Sequence, residues 1–162
     1  MNVRSRGIIR TILLGGIIAG TIDIGAACLI NGRSIPFILQ TIAGGVLARQ
    51  SYAGGVRAAA LGLLLQECMG LIIAAIYVGA SQRLPTLTRR WIVWGLAYGV
   101  VIFFVMNYVV VPLSAWKHWP VFSTPKFLAN MTAMLLFGVI VAYFAARRTH
   151  DRLDAGLQKA HL

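Results

Sequence analysis

GIIRTILLGGIIAGTIDIGAACLI, residues 7–30, and AAALGLLLQECMGLIIAAIYVGA, residues 58–80, decide the fold. Each is an apolar run longer than the roughly 20 residues that a helix needs to cross a bilayer. Each also holds a single carboxylate, Asp23 in the first and Glu67 in the second, and the next acidic residue is Asp151. A charged group in hydrocarbon costs about 2.5–3.5 kcal/mol even on the most lenient scales, so an intramembrane acid is a functional-site candidate by default.

Working outward, the whole chain has the same character. Hydrophobic residues make up 59% of its 162 residues and charged ones 12%, against about a quarter charged in soluble domains. Mean hydropathy is +0.78. Four spans are expected, at about Ile8–Ile30, Ala58–Ala80, Trp91–Val111 and Phe127–Ala146. Bundled spans share one interior, so residues 1–162 form a single membrane domain. The fold class is all-α: a polytopic protein of four transmembrane helices, with a short helix after the first span and an amphipathic C-terminal helix. The first span has a basic start at Arg4, Arg6 and Arg10, but it is too long for the apolar region of a cleavable signal and is expected to be retained.

The net charge of +11 reads as topology and lipid contact, not nucleic-acid binding. Arginines at span ends set orientation and meet anionic lipid headgroups. Ten of the 15 basic residues lie in the N-terminus (Arg4, Arg6, Arg10), the second loop (Arg83, Arg89, Arg90) and the tail (Arg147, Arg148, Arg152, Lys159). The first loop (Arg33, Arg49, Arg57) and the third loop (Lys117, Lys126) carry the other five, and with four spans the two sets fall on opposite sides. Both termini are therefore expected in the cytoplasm.

Between the first two spans, Asn31-Gly32 reads as a helix stop, and Ser34 can cap a new helix that Pro36 enters. The apolar segment 36–49 is about 14 residues long, a length suited to an interfacial or re-entrant piece. Were it a complete span, there would be five and the C-terminus would lie outside. Trp91 and Trp94, with Tyr77 and Tyr143, are placed as an interfacial belt at the cytoplasmic ends. Trp116 and Trp119 mark the opposite surface, and Pro112 ends the third span. In the tail, Leu153, Leu157 and Ala160 share a helical face, as in a helix lying on the membrane surface. Cys28 and Cys68 make neither a CxxC nor a metal-spaced cluster, and buried inert thiols are the expectation. No metal or cofactor site is indicated.

Helical spacing gives the faces. Gly16, Ala19, Gly20, Asp23, Ala26 and Ala27 form a stripe of small residues, so Asp23 should face protein. Glu67 shares a face with Ala60, Leu63, Leu64, Gly70, Leu71 and Ala74, and Gln66 points about 100° away. By helix rise, Asp23 lies about 10 Å and Glu67 about 15 Å from the non-cytoplasmic ends of their spans. Asn107 and Asn130 lie about 7 Å inside Pro112 and Pro125. The expectation is a polar pocket facing the periplasm, lined by Asp23, Glu67, Asn107 and Asn130. Gln40 from the short segment and Gln66 are additional candidates.

Three functions compete. If the two carboxylates meet, they can share a proton or hold a cation, with Asn107 and Asn130 as neutral ligands; that is the chemistry of a small transporter or ion-conducting protein. Four helices are thin for a private pathway, so a homodimer or higher oligomer is expected, with Gly95 and Gly99 offering a packing face. An enzyme would use the carboxylates as general acid and base, with His118 at the pocket mouth, on a lipid or small apolar substrate. An accessory or assembly protein would use the same groups as interhelical hydrogen bonds, or pair Asp23 with Arg33, Arg49 or Arg57.

Gly20-Thr-Ile-Asp23-Ile, Ile38-Leu-Gln-Thr-Ile-Ala-Gly-Gly and Met106-Asn-Tyr-Val-Val-Val-Pro-Leu-Ser114 resemble an uncharacterised family of small four-helix bacterial inner-membrane proteins. The likeness covers most of the membrane part, including Asp23 and Asn107. It implies the four-helix fold and a bacterial inner membrane, and carries no activity.

Overall fold

The structure, a computed structural model, describes residues 3–117, 119 and 123–160, with side chains over 6–117, 119 and 123–149. Every element among them is helical: α1 Val3–Asn31, α2 Ile35–Leu47, α3 Gly55–Arg83, α4 Thr86–Arg89, α5 Trp91–Val105, α6 Val111–Leu113 and α7 Thr124–Ala160. A 3-10 turn at Ala48–Tyr52 follows α2, and a π-helical turn at Met106–Val110 joins α5 to α6. Four stretches are long and apolar enough to cross a membrane: Arg6–Asn31, Gly55–Arg83, Trp91–Leu113 and Thr124–Thr149. Each contains one expected span, and the chain reads as a membrane protein of four apolar helices.

The first reversal follows from local chemistry. α1 stops at Asn31 because Gly32 takes φ +60°, a conformation open to glycine at little cost. The Arg33 N–H then donates back to the Cys28 carbonyl at 3.2 Å, the 6→1 bond of a Schellman end. Ser34 occupies the N-cap position of α2 with extended backbone, as expected, but its hydroxyl makes no cap bond.

Small residues set the seams between antiparallel helices. On α1 and α3, Gly16 meets Gly70 so closely that a Cβ built on either would stand 3.0 Å from the other's carbonyl oxygen. On α5 and α7, Gly138 packs against the backbone of Gly95 and Gly99. The Gly95/Gly99 face is thus filled within the chain and is not a spare surface for a second copy. α1 also runs antiparallel to α7, with Gly15 against Phe144 and Gly7 near Arg148. Between these seams the core is filled by Ala74, Val78, Phe103, Phe137, Val141 and Ala142.

Tyr77 belongs to this core and not to an aromatic belt. It is 2% exposed, and its hydroxyl donates to the Leu87 carbonyl at 3.1 Å, tying α3 to α4. Tyr98 packs on it at a centroid distance of 5.0 Å and donates to the Ile73 carbonyl at 2.8 Å, tying α5 to α3. A buried tyrosine keeps its ring among apolar neighbours and sends its hydroxyl to a carbonyl. Trp91 does lie at the same end, edge-on to Tyr143 at 5.5 Å.

Pro112 does not end the third span outright. It lacks an N–H, and its ring crowds the carbonyl four residues back. The helix widens just before it, with the Val111 N–H reaching the Met106 carbonyl five residues back, and then continues to Leu113. π-turns of this kind are single-turn insertions in α-helices.

α2 packs across α3 at the end of the bundle where α1 stops and α3 starts. Leu39 lies directly on Gly62, where any side chain would collide with its carbonyl, and Trp116 covers Gly44. The Trp116 indole N–H donates to the Thr41 carbonyl at 3.2 Å, and the Ala115 N–H to the Gly45 carbonyl at 2.8 Å. Trp116 therefore fastens α2 to the end of α6. The tail does not form a separate helix, since α7 continues unbroken to Ala160; the expected face of Leu153, Leu157 and Ala160 lies outside the described side chains. Both cysteines are free, Cys28 half-buried and Cys68 exposed, so Cys68 is not the buried thiol expected.

Candidate functional site

Asp23 sits where α1 touches both of its neighbours. Towards α3, its Oδ2 accepts a 2.9 Å hydrogen bond from the Gln66 amide. The partner is thus Gln66 and not an arginine; Arg33 instead lies over the Phe37 ring, 4.9 Å from its centroid. Towards α7, Asp23 opens into a crevice of about 280 Å³, lined also by Ala27, Ile30 and Asn31 of α1 and by Lys126, Asn130, Ala133 and Met134 of α7.

The crevice has a simple origin. α1 and α7 are held close further along, at Gly15 against Phe144 and Gly7 near Arg148. Asp23, Ala27 and Asn31 are spaced by four, and Lys126, Asn130 and Ala133 by four and three, so each set lines one face of its helix. Continuing the antiparallel register places Lys126 level with Asn31 at the mouth and Met134 level with Asp23 at the depth. Met134 is buried, which gives the crevice an apolar floor.

Glu67 does not line this crevice. It lies on the α1/α3 seam over Gly20, where a Cβ would be 3.5 Å from its Oε1. Its other oxygen, Oε2, is buried without a hydrogen-bond partner. Along α1, Gly20 precedes Asp23 by three residues, about 4.5 Å of rise. The seam therefore carries Gly16 on Gly70, Gly20 under Glu67, and Asp23 on Gln66, in that order. The expected face of Glu67 holds only in part: Gly70 and Ala74 are buried, whereas Leu63 and Leu64 are exposed.

The remaining candidates separate. Asn107 is buried, at 9% exposure, in the π-turn, and its amide donates to the Phe103 carbonyl at 2.9 Å; it is not in the crevice lining. Gln40 donates to the Gly55 carbonyl at 3.1 Å, joining α2 to the start of α3. Asn130 is the one asparagine of the expected pair that reaches Asp23's crevice. His118 lies outside the described residues. No group of three or more His, Cys, Asp or Glu placed to hold a metal ion occurs among the described residues.

Sequence reasoning missed Asn31 and Lys126 as site residues. In the sequence Asn31 has the chemistry of a helix stop and Lys126 that of one more basic loop residue. The signal was available: Lys126 is four residues before Asn130, and Asn31 eight after Asp23, on the same helical faces. The core pair Tyr77 and Tyr98 carried no such signal, because a membrane tyrosine reads equally well as a belt residue.

No family model, curated protein or solved structure matches this chain.

Proposed function

We propose that this protein is a small transporter of the bacterial inner membrane that takes up a positively charged species at Asp23, from the crevice between α1 and α7. The observation that carries the reading is the placement of Asp23: an intramembrane carboxylate held at 2.9 Å by Gln66 and open to a polar crevice of about 280 Å³. A carboxylate in a span has a large cost unless it serves a ligand or a pathway. The distribution of arginines supports termini in the cytoplasm, which turns the crevice towards the periplasm. The bundle interior is packed with Phe103, Tyr77 and Val141, so passage needs either opening of α1 against α7 or a second copy alongside.

One observation favours a second reading. The Gln66 bond and the Gly16/Gly70 contact are what a helix-locking role in an accessory or assembly protein requires. Flux separates the two. In proteoliposomes carrying a proton gradient, the protein should accelerate movement of protons, sodium, potassium or ethanolamine over protein-free liposomes. Asp23→Asn, folded and inserted normally, should lose at least nine-tenths of that rate. Equal rates in the variant, or no acceleration of any of the four, would reject transport of a cation through Asp23 and favour the locking role.

A further inference from the structure

The crevice carries charge of both signs, and this specifies its ligand more narrowly than a cation site. Asp23 is on the α1 wall at depth, and Lys126 is on the α7 wall at the mouth. Two carboxamides also line the crevice, Asn31 beside Lys126 at the mouth and Asn130 one turn of α7 deeper. A site for a bare metal cation would gather oxygen ligands around one point. Here the ammonium of Lys126 opposes an inorganic cation at the entrance, while the carboxylate opposes an anion at the depth.

We infer that the crevice binds a small zwitterion, a molecule bearing an ammonium and an acid group a few ångströms apart, with the ammonium on Asp23 and the acid on Lys126. The dimensions fit. Asn31, level with Lys126, is eight residues from Asp23, about 12 Å along the helix. Charge-assisted hydrogen bonds take about 2.8 Å at each end, and the flexible four-carbon stem of Lys126 spans the remainder. Asn130 can offer an amide N–H to the acid and its oxygen to the ammonium, and Asn31, whose amide already donates to the Ala27 carbonyl at 2.9 Å, has one further N–H for the acid. Gln66 holds one carboxylate oxygen of Asp23 and leaves the other for the ligand. The same chemistry belongs to a free amino acid or amino phosphate and to the headgroup of an ethanolamine phospholipid.

This inference rests on the crevice being the binding site, and the experiment tests the two levels separately. The full chain, in nanodiscs of phosphatidylglycerol alone, is titrated calorimetrically with γ-aminobutyrate and O-phosphoethanolamine, and with the single-charge fragments ethanolamine and inorganic phosphate. At least one zwitterion should bind ten times or more tightly than either fragment. Lys126→Gln, an exposed position that should not disturb folding, should remove that advantage while ethanolamine binding persists or strengthens. Asp23→Asn should remove ethanolamine binding as well. If ethanolamine binds as tightly as both zwitterions, or Lys126→Gln leaves the advantage intact, the zwitterion assignment is overturned and the cation site stands. If Asp23→Asn changes no titration, both readings fall. Nanodiscs containing phosphatidylethanolamine separate the sources: competition with added O-phosphoethanolamine identifies the lipid headgroup, and unchanged affinity identifies a free solute, either outcome upholding the zwitterion.

Discussion

Removing the Gln66–Asp23 hydrogen bond measures how firmly the candidate site is built into the fold. The perturbation is a double-mutant cycle of Gln66→Met, which keeps side-chain length without the amide, and Asp23→Ala, which matches the small residues around it. Hydrogen bonds between membrane helices average about 0.6 kcal/mol in such cycles and reach about 1.7. The Gln66 bond belongs near the upper value. It is 2.9 Å long, an ordinary length for an N–H···O bond, its acceptor is a carboxyl oxygen that would otherwise be left without a donor, and both residues are half-buried. A coupling of about 1–1.5 kcal/mol is expected, close to a tenfold change in the folding equilibrium constant. Reversible unfolding in mixed detergent micelles, followed by far-ultraviolet circular dichroism, gives the four free energies. Gln66→Met alone should cost more than the coupling, because it leaves the Asp23 oxygen without its donor. A coupling below about 0.3 kcal/mol, within the scatter of independent sites, would refute the pairing and with it the claim that α3 fixes the orientation of Asp23.

Two other substitutions test the frame around the site. Tyr98→Phe deletes the hydroxyl that donates to the Ile73 carbonyl at 2.8 Å and should lower unfolding free energy by about 0.5–1.5 kcal/mol with ligand affinity unchanged; a loss of affinity would place this tyrosine in the site. Gly138→Leu puts a side chain into the backbone of Gly95 and Gly99 and should cost well over the roughly 1–3 kcal/mol of ordinary overpacking, read as loss of monodisperse folded protein on size exclusion. Normal stability in that variant would mean that α5 and α7 do not meet along their glycines.

The spans were legible because length and hydropathy alone specify a membrane helix, and the small-residue stripe around Asp23 correctly aimed it at protein. The end of α1 was legible too, since Asn31-Gly32 has the chemistry of a helix stop. What the sequence left open was how the polar layer divides. Depth along each helix can be counted, but rotation depends on which neighbour a helix meets. Asn107 and Asn130 come from similar depths, yet the π-turn buries Asn107 against its own helix while Asn130 faces α1. Gln66 and Glu67 show the same limit, since both reach α1, one turn of that helix apart. Their division of labour follows from the register of Gly16 on Gly70, which no single-helix pattern contains. The glycines of α5 suit a second copy as well as α7 for the same reason: a small-residue face announces a partner without naming it.

Asp23 lies on two interfaces at once, and this links the structural reading to the functional one. Its carboxylate accepts from α3 through Gln66 and faces α7 across the crevice. An ammonium taking the Asp23 oxygen that Gln66 leaves free would draw charge from the oxygen that Gln66 holds, so occupancy of the crevice should alter how tightly α1 is held to α3. Glu67 sits next along that seam with an unpartnered buried oxygen, where a small shift of α1 would change its surroundings first. If binding loosens that contact, α1 would have a second arrangement that the ligand favours, the condition under which a ligand can move an equilibrium. Helix locking and ligand uptake would then be two states of the same contact. The double-mutant cycle distinguishes them: repeated with saturating O-phosphoethanolamine, the Gln66–Asp23 coupling should fall if the ligand shares the carboxylate, and should stay constant if Asp23 only locks the helices.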